Sequence, residues 1–261
     1  MFRLLNPAGA DARSISEVVN NIMNGKTNNT GEVTLNTGWA TTTTIYDERI
    51  GYNSLILLAP SSSAAFSDKL PYGAIQSTQN QYITTASPFT FNTTDFSNGV
   101  YLSSNKMYFR DAGVYNLQFS IQFANTDSQI QEATVWLKKN GTNIDGTASK
   151  YSVPNKHGGL DGYLIAVANF FVEVVAGDYI ELYWSATQYA NVGGSTTGIY
   201  AEYYAAAGSV PVVPSVVLTA QYNQASASTN VYVSSQQPGQ ATLTHFANNT
   251  SSKTYRYTVI G

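Results

Sequence analysis

Between Tyr115 and Phe123 the chain alternates without a break. Tyr115, Leu117, Phe119, Ile121 and Phe123 are apolar, and Asn116, Gln118, Ser120 and Gln122 fall between them. A period of two is the signature of a pleated strand, so five large apolar groups share one face and an amide-rich row shares the other. The first face belongs in a core; the second must meet water or a partner. Just upstream, Lys106–Arg110 reads as a shorter strand, joined to the long one through a turn at Asp111-Ala112-Gly113.

The rest of the chain is consistent with this start. Only 11% of its 261 residues are charged, while 43% are hydrophobic and 13% aromatic, so it can build a packed core with polar, uncharged surfaces. Tyr and Thr favour strands and Asn and Gly favour turns, which predicts an all-β fold. With no cysteine, a disulfide scaffold and thiolate metal ligands are excluded. A net charge of −3 without a Lys/Arg cluster argues against nucleic acid or an anionic membrane as the main partner. The apolar run at Met1–Pro7 is too short for a signal peptide, and no segment has the length of a membrane span. The expectation is a soluble protein made in a cytoplasm.

One helix is predicted, over residues 14–24. Ser14 and Glu17 have capping-box spacing, Ile15, Val18, Val19, Ile22 and Met23 form one apolar stripe, and Asn24-Gly25 supplies a stop. That stripe either packs on the following strands or docks into a partner, with Ile15, Val18, Val19 and Ile22 as the docking residues. Gly25-Lys26-Thr27 lacks the upstream glycine and the strand-to-helix setting of a phosphate loop.

Short strands with turn signals fill both ends of the chain. Residues 1–60 and 230–261 are expected to form one small helix-plus-sheet domain, because two- or three-stranded pieces are marginal alone. Residues 68–222 would be an inserted sandwich or jelly roll of about ten strands, with linkers at 61–67 and 223–229. The hairpin turn at Lys139-Asn140-Gly141 is the strongest local signal in it.

Two segments of this middle region resemble the tumour necrosis factor/complement globular-head jelly roll. They are Ala112-Gly113-Val114-Tyr115 with Phe119-Ser120, and Gly177-Asp178-Tyr179-Ile180-Glu181-Leu182. The flanks resemble phage virion structural proteins, through Ala10–Ile15, Gly25–Gly31, the Thr-rich run Ala40–Ile45, Asn53–Leu57 and the ending Leu243–Gly261. These resemblances imply a homotrimeric tail-fibre, head-fibre or capsid-decoration protein. It would be located in the virion, contact other virion proteins, and bind a host-surface glycan or protein.

The same resemblance implies that the Tyr115–Phe123 strand and the Tyr179–Trp184 strand share one sheet. Tyr115, Leu117, Phe119, Ile121 and Phe123 would then fill the sandwich with Ile180, Leu182 and Trp184. Asn116, Gln118, Gln122, Tyr179 and Tyr183 would face the three-fold axis as a subunit seam.

Catalytic chemistry is not indicated. His157 in a Gly-rich loop and His245 in an alternating strand form no metal-binding pair, and both read as surface residues. Asp178 and Glu181 are the nearest carboxylates within one strand but point to opposite faces. No cofactor is expected; a Ca²⁺ site from Asp127, Asp145 or Asp161 stays open. The alternative to a binding protein is a polysaccharide-degrading tailspike-type enzyme. Tyr151, His157, Tyr189 and Asn191 are the loop residues expected to meet a ligand.

Overall fold

The computed structural model describes residues 11–23, 29–66, 69–223 and 231–260, with backbone only for 21–23. The side chain of Ile22, the Asn24-Gly25 stop, Gly25-Lys26-Thr27 and residues 224–229 of the second linker lie outside the described residues. The chain divides into two compact units, Met1–Asp68 with Thr229–Gly261, and Lys69–Ser228.

The terminal unit begins with α1 (Ala12–Met23), β1 (Thr30–Thr34), β2 (Ala40–Tyr46), β3 (Leu55–Pro60) and the one-turn helix α2 (Ser63–Phe66). The central unit holds β4 (Tyr72–Ser77), β5 (Ser87–Pro88), β6 (Thr93–Asn98), β7 (Val100–Ser103), β8 (Lys106–Phe109) and β9 (Gly113–Asn125). It continues with β10 (Gln131–Lys139), β11 (Thr142–Asn143), β12 (Ser149–Val153), β13 (Gly162–Val174), β14 (Tyr179–Ala186), β15 (Ile199–Ala201) and β16 (Val216–Tyr222). The chain then returns to the terminal unit with β17 (Val231–Gln237), β18 (Gln240–Asn248) and β19 (Thr254–Ile260).

Two antiparallel three-stranded sheets, ordered β1-β19-β3 and β17-β18-β2, make up the terminal unit. Their inward residues, among them Ile45, Leu243, Tyr255, Tyr257 and Val259, bury one common core with Leu35 just after β1. Ala65 of α2 joins this core, so part of the stretch expected to be a linker over 61–67 is packed structure. The start of α1 also differs from expectation. Asp11 is the cap, its Oδ1 accepting the Ser14 amide at 2.7 Å, and Ser14 lies inside the first turn. A carboxylate there satisfies an orphan N–H and meets the positive end of the helix dipole, which a serine hydroxyl does less well. Ile15 and Val19 on the apolar stripe are about half exposed, so the core-packing expectation for them does not hold.

The central unit is an all-β sandwich. One sheet runs β13-β9-β16-β4-β6, with β15 also on β9; the other runs β11-β10-β14-β8-β7, with β12 on β10 and β5 on β14. From β8 onward the chain crosses between sheets at β9, β10, β13, β14 and β15, which is jelly-roll connectivity. Tyr115, Leu117, Phe119, Ile121 and Phe123 enter one core with Ile180, Leu182 and Trp184. The turn into β9 is held by the Tyr115 hydroxyl, which donates to the Asp111 carbonyl at 3.0 Å. Asn140 and Gly141, both left-handed at φ 51° and 79°, close the β10–β11 hairpin.

The chain enters and leaves this unit on adjacent strands, with Tyr72 of β4 opposite Gln221 of β16. Neither Gln81–Thr84 nor Phe89–Asn92 is a strand. Gln81 makes an isolated bridge to Ala201, and Phe89 is a fully buried core residue just after β5.

Candidate functional site

Two sheet surfaces of the central unit carry unusual side chains. On the β9 sheet, β13 is the terminal strand, and its outward residues are mostly apolar. Tyr163, Ile165, Val167 and Phe171 are each more than half exposed. Pairing with β9 sets Phe171 opposite Asn116, Asn169 opposite Gln118, Val167 opposite Ser120 and Ile165 opposite Gln122. The outer face is thus divided lengthwise into an apolar edge stripe and an amide row. Further across, Thr219 lies opposite Gln118 and Gln221 opposite Asn116 on β16.

The residues expected to form one seam do not share one face. Asn116, Gln118 and Gln122 share this outer face, but Tyr179 and Tyr183 do not. β14 pairs with β10, β8 and β5, which places it in the other sheet. The expectation failed because inward alternation is the same for two strands side by side and for two strands facing each other across a sandwich. Tyr179 and Tyr183 therefore point away from the amide row.

They belong instead to the outer face of the β14 sheet, where aromatic and cationic side chains interleave. Tyr101, Tyr108 and Tyr179 form a row across β7, β8 and β14, with ring centroids 5.4 and 5.3 Å apart. Trp136 and Tyr183 form a second pair at 5.7 Å, and the Trp136 indole N–H donates to Asn143 Oδ1 at 3.0 Å. Between them the Lys106 ammonium lies 4.1 Å from the Tyr179 ring centre, and that of Lys138 4.0 Å from Tyr183. Arg110 covers Tyr101 at 4.3 Å. Glu181, opposite Lys138 in register, is buried among these groups. A hydrogen bond with Tyr179 raises the Lys106 pKa, and nearby Glu181 adds to the effect. Each of these residues is visible in the sequence; their convergence from four strands is not.

The remaining candidates are occupied structurally or stand apart. Tyr151 lies on β12, and its hydroxyl donates to the Val167 carbonyl at 2.9 Å. Asn191 folds its own loop, donating to Ser195 Oγ and accepting from the Thr196 amide. Tyr189 packs edge-on against Trp184. His157 is exposed in a tight turn, its amide and carbonyl both bonded to Leu160. His245, expected at the surface, is buried beside Thr43 Oγ1, with its ring nitrogen 2.9 Å away. The alternation Ala241, Leu243, His245 had placed it on the inward face of β18.

Asp127 is surrounded by donors: the Gln129 amide at 2.7 Å, Thr197 Oγ1 at 2.8 Å and Gln188 Nε2 at 2.9 Å. The Gln129 amide foremost, and then the Thr197 hydroxyl, hold its pKa below the usual carboxylate range. Asp161 pairs with Lys156 at 3.3 Å. Among the described residues, Asp127, Asp145 and Asp161 are not brought together as a metal-binding group. Asp178 is a turn acceptor, bonded to Asn140 Nδ2 at 2.6 Å and the Val175 amide at 2.9 Å. Burial opposes its ionisation, but those two bonds outweigh it and lower its pKa.

No protein-family model and no curated protein matches this chain. Among solved structures it is similar to the globular domain of zebrafish complement 1qA protein, at 12% identity and a TM-score of 0.35, over 59% of this chain and 98% of that one. It is also similar to murine APRIL at pH 5.0, at 11% identity and a TM-score of 0.38, over 59% of this chain and 99% of that one.

Proposed function

We propose that this is a non-enzymatic structural and binding protein that assembles as a homotrimer on a virion surface, as a fibre or capsid-decoration component. One observation carries the assembly: the exposed apolar stripe Tyr163, Ile165, Val167 and Phe171 on the terminal strand of the β9 sheet. A largely apolar row on a sheet edge, broken here only by Asn169, is a liability for a lone chain and an interface for an oligomer. Its neighbour, the amide row of Asn116, Gln118 and Gln122, offers a different surface. An edge packing on a neighbour's face makes a head-to-tail contact, which closes into a three-membered ring when successive copies are rotated by a third of a turn. Amides at such a contact fix register by hydrogen bonding.

The virion assignment rests on the resemblance of the two terminal segments to phage structural proteins, and the terminal unit would be the part that attaches to the particle. The jelly roll would project outward toward the host surface. Sedimentation equilibrium of the full chain is expected to give three times the monomer mass at micromolar concentration. Antibody labelling of particles in the electron microscope should place it on the outside. A monomer in the first experiment, or unlabelled particles in the second, would refute this reading.

A further inference from the structure

We propose that the outer face of the β14 sheet binds an anionic polysaccharide, one bearing carboxylate groups such as a uronate polymer. This deepens the reading above, on which it rests, by naming a surface of the jelly roll and a class of ligand for it. The face is built as a cationic middle between aromatic flanks. Tyr101, Tyr108 and Tyr179 lie to one side, Trp136 and Tyr183 to the other, and Lys106 and Lys138 stand on the rings between them. It crosses four adjacent strands, β10-β14-β8-β7. Three strand spacings are about 14 Å, room for several consecutive sugar rings.

Charge selects the ligand. The whole chain has a net charge of −3, yet between its aromatic flanks this face sets Lys138 of β10 and Lys106 of β8 to either side of one buried carboxylate, Glu181 of β14. Two ammonium groups face one carboxylate there, so the strip keeps a net positive charge that a neutral glycan would leave unused. Cations held over aromatic rings are also partly desolvated, which strengthens their attraction for an incoming anion.

Nucleic acid fits less well. Single-strand binding depends on open ring faces on which bases stack. Here Tyr101 and Tyr108 lie against each other, and Arg110, Lys106 and Lys138 occupy faces of Tyr101, Tyr179 and Tyr183. What this surface offers is phenol, ammonium and guanidinium donors beside apolar ring edges, which suits carboxylates and hydroxyls on a sugar chain.

The test is titration calorimetry of the full-length protein with polygalacturonate, with uncharged dextran and with a thymidine oligonucleotide. Polygalacturonate should bind and weaken as salt is raised, while dextran should not bind. Lys106→Gln with Lys138→Gln should weaken polygalacturonate at least tenfold, with circular dichroism and sedimentation mass unchanged. Tyr108→Ala should do the same, and if it does not fold, the double lysine variant still decides. Equal binding of dextran, tighter binding of the oligonucleotide, or a double variant as good as the parent would each overturn the proposal. Sedimentation reports on the β13 stripe alone, so loss of glycan binding in an intact trimer is distinguishable from failure of the trimer itself.

Discussion

Phe123 on β9 and Trp184 on β14 meet across the sandwich with ring centroids 5.4 Å apart, and neither is accessible to solvent. Phe89 stacks on the other part of Trp184 at 5.3 Å, so the three rings join the two sheets at their centre. Phe123→Ala leaves a ring-sized void between sheets that cannot collapse onto it. The expected cost is about 3–5 kcal/mol, read from the urea midpoint of the jelly roll, with Phe123→Leu costing less than half of that.

Phe171→Glu should separate assembly from folding. The side chain is exposed in the single chain, so unfolding of the isolated protomer should shift by no more than about 0.5 kcal/mol. A charge in the apolar stripe, by contrast, should convert the trimer to monomer in sedimentation experiments. Monomer and trimer populations unchanged by the substitution would show that β13 faces water.

Gly113 is the residue at which the turn enters β9, at φ 149°, and a Cβ there would lie 2.3 Å from Cε2 of Tyr222. Tyr222 cannot swing aside freely, because its ring stands edge-on against Tyr115 at 5.3 Å. Gly113→Ala should destabilise the central unit by about 2–4 kcal/mol, from backbone strain and overpacking together. Adding Tyr222→Ala removes the clash but not the strain, so part of the loss in thermal midpoint should remain.

The terminal unit should carry an acid-sensitive contact. The Arg49 side chain bonds the Asp47 carboxylate, and Tyr257 donates to it at 3.0 Å. The Arg49 bond is the main reason its pKa falls to about 2. A depressed carboxylate stabilises the fold at pH values above its unfolded pKa, near 4, and that contribution is lost as pH falls toward about 2. Asp47→Asn should remove roughly 1–2 kcal/mol at pH 7 and flatten the decline below pH 4, as followed by circular dichroism melts.

What could be read from sequence was whatever repeats locally. β9 and β14 announce themselves, since alternation needs only neighbouring residues, and Asn140-Gly141 specifies its hairpin by itself. The sheet to which each strand belongs depends on partners far along the chain, so Tyr179 and Tyr183 were placed on the wrong surface. The helix start was read from the Ser14-to-Glu17 spacing, whereas the observed cap is Asp11, three residues earlier. The aromatic and cationic face was hidden for the reason the β14 placement was: Tyr101, Tyr108, Trp136 and Tyr183 meet only once four strands are aligned.

The pairing of the terminal unit also imposes an order in time. β19 is the partner of both β1 and β3, and β18 is the partner of β2. All of Lys69–Ser228 is made between those partners, and it can close on itself as soon as β16 reaches β4. On the ribosome, the first three strands must therefore wait with bare edges while the later-made sandwich folds ahead of them. A chain interrupted after Tyr222 would retain every jelly-roll strand and leave β1, β2 and β3 stranded, so a premature stop yields a complete sandwich carrying an N-terminal segment that has lost its pairing partners.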